Sequence, residues 1–328
     1  MISFCQFGAG RIGAIHAGNI ARHPGARLHT IVDTDRAAAR RLAEAYGATV
    51  RTAAEALADP TIDAIIIASS TDTHADLVEA AARAGKAIFC EKPLDLDRRR
   101  AESCAAVTAS RGVKLMVGFN RRFDPSFARL EQQIRDGRIG RLELLTITSR
   151  DPAPPPLAYI KRSGGLFRDM MIHDFDMARW LCGEEPVEVL AAASNLVDPA
   201  IGEAGDVDTA VVVLRTASGA LVQISNSRRA AYGYDQRIEA LGAKGALRAE
   251  NMAESTVVFS DADGVTSAKP VDFFLERYAD AYRLELAHFI DTIASGTTPL
   301  TGAEDGVKAL VLADAAREAA LSGRTVKL

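Results

Sequence analysis

Cysteine is scarce. There are four in 328 residues, Cys5, Cys90, Cys104 and Cys182, with no CxxC pair and no metal-ligand spacing among them. That excludes a disulfide scaffold, and Cys5 and Cys90 fall inside apolar runs where a thiol behaves as a small hydrophobe. Long apolar stretches are also missing. None approaches the roughly 20 residues of a membrane span. Met1 leads straight into Ile2-Ser3-Phe4-Cys5-Gln6-Phe7, without the basic start and apolar core of a secretory signal. Neither sign of charge dominates: 39 Lys and Arg stand against 43 Asp and Glu, for a net charge of -4. Nothing here calls for nucleic acid or an anionic membrane surface. Internal repeats and low-complexity segments are absent. A reduced, cytoplasmic, soluble protein is expected.

What is present is an ordinary globular composition, 48% hydrophobic and 25% charged. This excludes a disordered or collagen-like chain. At roughly 150 residues per domain the length implies about two cores. The first third alternates apolar runs (2–7, 28–32, 64–68, 87–90 and 113–117) with amphipathic segments (11–22, 36–46, 74–83 and 98–110). That spacing predicts an α/β domain with a doubly wound parallel sheet.

Near Gly118 the pattern changes. A helix is expected over 123–135 and a strand over 142–149. The segment Asp151-Pro152-Ala153-Pro154-Pro155-Pro156 can continue neither. A helix over 166–181 follows. Strand-like runs come next at 187–193, 209–215, 220–226, 236–241, 246–249 and 256–260, with turn signals at Ser218-Gly219 and Lys244-Gly245. Helices over 278–294 and 303–320 end the chain. The expected division is 1–120 for the α/β domain and 121–328 for an α+β domain with a large, mostly antiparallel open sheet. A ligand crevice belongs at the carboxyl ends of the parallel strands, covered by the second domain.

Gly8-Ala9-Gly10-Arg11-Ile12-Gly13 is a GxGxxG sequence between the first strand and the first helix. Gly8 permits the tight turn, Gly10 lets a pyrophosphate approach the backbone, and Gly13 lets helix and strand pack closely. The helix N-terminus then offers N–H groups and a positive dipole end to the phosphates. Asp33 closes the second strand, where a carboxylate accepts hydrogen bonds from the ribose hydroxyls of NAD and repels the 2′-phosphate of NADP. NAD is the expected cofactor.

Lys92, in Glu91-Lys92-Pro93, follows a buried strand whose carboxyl end faces the cofactor crevice. An ammonium there can stabilise developing alkoxide charge, although polar residues are common at strand ends. Asp169 and His173 are four apart at the start of the 166–181 helix and share a face. A carboxylate orients a histidine and stabilises its cationic form, as a general base requires; Asp169 also suits the helix dipole alone. Asp174 and Asp176 add carboxylates without a set of metal ligands, so no metal is expected. His16, His23, His29 and His288 show no comparable pairing, while His74 sits at a strand-to-helix crossing that lines the cofactor cleft.

Taken together, Phe7 to Gly13, Ser69-Ser70-Thr71-Asp72-Thr73-His74 and Glu91-Lys92-Pro93-Leu94 resemble the glucose-fructose oxidoreductase/inositol dehydrogenase/rhizopine-catabolism (Gfo/Idh/MocA) family. The similarity runs over nearly the whole chain. Gly118 to Asp124, Ser149 to Pro152, Arg168 to Trp180 and Tyr232 to Arg237 resemble its inositol 2-dehydrogenase branch. The resemblance implies that Lys92, Asp169 and His173 are catalytic. It implies cofactor contacts from Ser69, Thr71, His74, Glu91 and Lys92 beside Gly8, Gly10, Arg11, Ile12, Gly13 and Asp33. It places polyol contacts at Asn120, Asp151 and Tyr234 beside Lys92, Asp169 and His173; some members carry Met at position 120. It further implies a homotetramer assembled through the exposed face of the C-terminal sheet. The expected reaction is NAD-dependent oxidation of a cyclic polyol, myo-inositol to its 2-keto form (scyllo-inosose). The alternatives are another inositol isomer or a sugar, opening of a glycosidic bond by transient oxidation, or a non-enzymatic NAD-binding regulator.

Overall fold

The computed structural model describes residues 1–328 and divides them into two compact units. The first comprises residues 1–123 and 281–310, the second 124–280 and 311–328.

In the first unit, strands β1 (Ile2–Phe7), β2 (Ala26–Val32), β3 (Thr49–Val50), β4 (Ala64–Ile67), β5 (Ala87–Glu91) and β6 (Leu115–Gly118) form one sheet in the order β3-β2-β1-β4-β5-β6. Every pairing is parallel. Helices α1 (Arg11–Arg22), α2 (Arg36–Tyr46), α3 (Ala53–Ala58), α4 (His74–Arg83) and α5 (Arg98–Arg111) connect the strands. This is the doubly wound order that puts a ligand crevice at the carboxyl ends of β1 and β4. The four residues of β4 are wholly buried, as a continuous β-branched run demands when both faces are covered.

Residues 281–310, expected with the second domain, pack instead in the first unit. Helix α11 (Ala279–Ser295) contributes Leu286, Phe289 and Ile290 to the first core. The Phe289 ring lies 6.2 Å from Phe4 and 5.8 Å from Phe89. Thr301 also closes the free edge of β6: its carbonyl accepts from Val117 N–H, and its hydroxyl donates to the Val117 carbonyl at 2.7 Å. An unpaired strand edge is thereby covered.

The second unit contains α6 (Pro125–Arg135), β7 (Leu142–Arg150), α7 (Leu157–Ser163), α8 (Ile172–Cys182), β8 (Pro186–Ser194), α9 (Pro199–Glu203), β9 (Thr209–Thr216), β10 (Leu221–Ser227), β11 (Asp235–Gly242), β12 (Gly245–Ala249), β13 (Val258–Asp261), β14 (Gly264–Ser267) and α10 (Phe274–Arg277). Helices α11 (Ala279–Ser295) and α12 (Ala303–Ser322) and strand β15 (Val326–Lys327) end the chain. Asp124 caps α6 through the N–H groups of Ser126 and Phe127 and pairs with buried Arg277.

Seven strands form a sheet in the order β12-β11-β7-β10-β9-β8-β15. It is antiparallel except for β7 and β10, which run parallel. The chain leaves β7 through α7, the 166–170 turn and α8, and β10 returns beside it after β8, α9 and β9. The two faces follow the pleat. Leu145, Ile147, Val212, Leu214, Val222 and Ile224 are buried on one side, while Leu190, Val211, Leu221 and Leu241 are exposed on the other. The run expected at 256–260 does not join this sheet; β13 pairs only with β14 in an exposed hairpin.

The helix expected over 166–181 is interrupted. Leu166–Met170 form a π-helical turn, closed by Met171 N–H donating to the Leu166 carbonyl at 2.9 Å, and α8 begins only at Ile172. One extra residue enters the turn that carries Asp169; such π turns are frequent at functional sites.

Candidate active site

The phosphate loop is built by close packing. Gly8 has φ +100°, and a Cβ there would lie 2.3 Å from the Ala68 carbonyl oxygen. A Cβ on Gly13 would lie 2.2 Å from the Gly8 carbonyl oxygen. Buried Gln6 donates through Nε2 to the Gly8 and Gly13 carbonyls, both at 2.8 Å, clamping the loop onto α1. Around Gly10, by contrast, no protein atom lies within 4 Å of where a Cβ would stand, and no side chain caps α1. Gly10 and Arg11 are exposed and Ile12 is half-buried. The loop thus presents an uncapped helix N-terminus with a smooth approach, a cradle that fits a dinucleotide pyrophosphate.

Asp33 lies against this loop. Its Oδ2 accepts from Ala9 N–H at 2.6 Å and its Oδ1 from Asp35 N–H at 2.8 Å. Ser69, half-buried after β4, shares a hydrogen bond of 2.7 Å with Thr73, and Thr71 opens the short turn before α4. His74 joins two of the expected segments. Its Nδ1 is 2.7 Å from the Pro93 carbonyl and its Nε2 is 3.2 Å from the Ser69 carbonyl. Burial pulls the imidazole below its ordinary value, against the opposing effect of those carbonyls. A neutral ring donates one proton, and the shorter contact assigns it to Nδ1. His74 is therefore a buried clamp between the Ser69 and Lys92-Pro93 segments. Lys92 is half-buried directly after β5, and Asn120 is buried at the start of a 3₁₀ turn.

The first unit also holds a histidine pair that local spacing did not indicate. His16 Nε2 lies 2.7 Å from Glu91 Oε1. Glu285 of α11 joins them, with one ligand atom from each of the three within 4.8 Å of the others. Burial, and then the charge of Glu91, push the Glu285 carboxyl well above its ordinary value. That shift favours the protonated carboxyl, which is a poor cation ligand.

In the second unit, candidate residues gather where β7 and β10 end and β11 begins. Asp151 follows β7 and its N–H donates to the Ser227 carbonyl. Tyr234 precedes β11, is buried, and packs edge-on against Tyr278 at 6.1 Å. Its loop is held by buried Asp235, which accepts from Tyr232 Oη at 2.6 Å and from Arg237. Asp174 is fully buried and accepts from Ser149 Oγ at 2.6 Å and Asn226 Nδ2 at 2.9 Å. It therefore fastens α8 to the ends of β7 and β10. Asp176 lies beside Arg179 in the same helix.

Asp169 on the π turn and His173 on the first turn of α8 are both half-buried. Tyr159 of α7 donates to Asp169 Oδ1 at 2.9 Å. Tyr159 was not foreseen, because α7 follows the prolines with no sequence link to the turn. Arg228, 3.9 Å from the other Asp169 oxygen, and Asp206, 3.7 Å from the same guanidinium nitrogen, were likewise not foreseen.

A family model described as the oxidoreductase family, NAD-binding Rossmann fold, matches residues 2–119, and one described as the GFO/IDH/MocA C-terminal domain matches residues 127–248. The chain belongs to the GFO/IDH/MocA oxidoreductase family. Its first unit is the NAD-binding domain of an NAD-dependent oxidoreductase. An inositol 2-dehydrogenase of Rhizobium meliloti is 54% identical over 100% of this chain and 99% of that protein. A myo-inositol 2-dehydrogenase of Thermotoga maritima is 50% identical over 98% of this chain and 97% of that one. The crystal structure of a scyllo-inositol dehydrogenase from Lactobacillus casei with bound NAD(H) and scyllo-inositol superposes with a TM-score of 0.92 at 32% identity. It covers 100% of this chain and 99% of that chain. The two family models fall one on each of the two units. No helix is long and apolar enough to cross a membrane. The four cysteines are unpaired, and burial pushes their thiols up.

Proposed function

We propose that this family member oxidises a cyclic polyol with NAD, with myo-inositol as substrate and its 2-keto form as product. The observation that carries the reading is Asp169, steadied by Tyr159, four residues before His173 at the start of α8. It gains weight because relatives at 54% and 50% identity are inositol 2-dehydrogenases. When bound, NAD supplies the hydride acceptor. His173 takes the proton of the C2 hydroxyl as general base, and Asp169 orients the imidazole and stabilises it once protonated. Lys92 donates a hydrogen bond to the reacting oxygen and offsets its developing charge. Asn120, Asp151 and Tyr234 contact the other hydroxyls. Gly8 to Gly13, Asp33, Ser69, Thr71, His74 and Glu91 form the cofactor side, where His74 acts as a clamp.

The same reading includes assembly and location. The exposed face bearing Leu190, Val211, Leu221 and Leu241 supports a homotetramer through the large sheet, which light scattering after size exclusion tests. Four unpaired thiols suit a reducing cytoplasm.

The decisive experiment is NADH formation with myo-inositol, scyllo-inositol, D-chiro-inositol, glucose and their phosphates, with NAD and NADP in parallel. No NADH with any polyol rejects the reading. In the same assay His173→Ala should lower turnover by about 10²–10⁴-fold while NAD binding survives. Wild-type turnover of that variant removes His173 from the mechanism.

A further inference from the structure

Arg228 is the largest side chain of the protein to be almost wholly buried, at 1% exposure. It follows β10, and its backbone N–H donates to the Asp208 carbonyl. Its Nε and one terminal nitrogen have no hydrogen-bond partner. That same terminal nitrogen lies 3.9 Å from Asp169 Oδ2 and 3.7 Å from Asp206 Oδ2. A desolvated guanidinium persists only where negative charge answers it, and these two carboxylates are the acidic groups paired with it. The other charged groups nearby are engaged elsewhere. Arg168 pairs with Asp314, Asp174 serves Ser149 and Asn226, and Asp208 accepts the N–H groups of Leu196, Val197 and Asp198.

Asp206 links this cation to the turn. Its Oδ1 accepts from Leu166 N–H at 3.0 Å, at the first residue of the π turn that carries Asp169. A Cβ on Gly165 would come within 2.5 Å of that oxygen. Asp206 therefore holds the start of the turn while Arg228 faces the carboxylate three residues on. Asp169 is addressed on both oxygens, by the Tyr159 hydroxyl at Oδ1 and by the guanidinium at Oδ2.

We propose that Arg228 is a positioning residue for the Asp169/His173 pair, its buried charge setting the orientation of the carboxylate that in turn orients the base. The proposal rests on the function proposed above. Arg228 acts through Asp169, so its effect belongs in turnover and vanishes once Asp169 no longer carries a charge.

The test is a double-mutant cycle. Arg228→Met keeps the packing volume and removes the charge; it should lower kcat by about 10- to 100-fold with the KM for NAD within twofold of wild type. Arg228→Lys keeps a charge and should recover at least a third of wild-type kcat. On an Asp169→Asn background, Arg228→Met should lower kcat by less than twofold, because the group through which it acts is already neutral. A purely structural role gives the opposite pattern: equal losses for Met and Lys, and the full loss repeated on Asp169→Asn. Either result overturns the proposal, as does wild-type kcat for Arg228→Met. If Arg228→Met yields no folded protein, as judged by NAD binding and melting temperature, the cycle is run with Arg228→Gln, which also removes the charge; wild-type kcat for that variant, or a kcat loss that persists in full on Asp169→Asn, then rejects the proposal. His173→Ala separates the two levels. Retained turnover in that variant rejects the function reading itself, whereas its loss together with an unaffected Arg228→Met rejects only the role of Arg228.

Discussion

Alanine at Gly10 should abolish tight cofactor binding while leaving the fold alone, and alanine at Gly8 should damage both. At Gly10 the backbone has φ −74° and ψ −165°, which any residue adopts, and a Cβ would meet no protein atom within 4 Å. The cost to stability is only that of alanine in place of glycine at a helix N-cap, about 0.5–1 kcal/mol. A methyl group there stands where a pyrophosphate must approach the N–H groups of α1. Losing one charge-assisted hydrogen bond costs about 1.5–3 kcal/mol, or roughly 10- to 150-fold in Kd. At Gly8 the Cβ would lie 2.3 Å from a carbonyl oxygen on a backbone with φ +100°. Left-handed strain of about 1–2 kcal/mol adds to overlap of about 1–3 kcal/mol. The assay is calorimetric titration with NAD beside thermal melts with and without it. Wild type should melt higher with NAD, as mass action requires. Gly10→Ala should melt like wild type without NAD and gain little from it, and Gly8→Ala should melt lower in both. Gly10→Ala binding NAD within twofold of wild type would refute the phosphate role of this loop.

Asp33→Ser removes the carboxylate that accepts from Ala9 N–H. It should weaken NAD by about 10-fold or more and narrow its advantage over NADP; an unchanged ratio of kcat/KM for the two cofactors counts against the ribose role. Glu285→Gln tests the buried acid. Burial first, then Glu91, raise the Glu285 carboxyl in the folded state, so above the ordinary value of 4.5 the unfolded chain releases a proton that the folded chain keeps. Folding stability from this group is therefore full below about pH 4.5 and declines as pH rises. The glutamine variant should melt above wild type at pH 8, with the gap closing towards pH 5. A gap that is constant with pH, or a variant less stable at pH 8, contradicts a protonated Glu285.

The residues legible in advance were those whose meaning lies within one turn or one strand. GxGxxG between a strand and a helix specifies its own geometry, because Gly8 and Gly13 have no room for a Cβ whatever follows in the chain. Asp33 lies one strand further on and reaches back to the same loop. Asp169 and His173 share a short segment, so their spacing could be read, although the π turn between them could not. Period-2 alternation gave the strands of the large sheet but not their order. The parallel pairing of β7 with β10 depends on where three intervening helices carry the chain.

The sequence by itself determined the doubly wound first domain, the phosphate loop and the residue types suited to proton transfer, since local periodicity and glycine sterics act over a few residues. Tertiary structure alone decided which distant groups share a buried charge. His16 met Glu91 and Glu285, Tyr159 met Asp169, and Arg228 came to face Asp169 and Asp206. It also decided that α11 completes the first core. The physical reason is common to the buried His16 and Arg228 clusters. A polar or charged group taken out of water must find its partner wherever the packed chain supplies one, and that demand carries no mark in the local pattern.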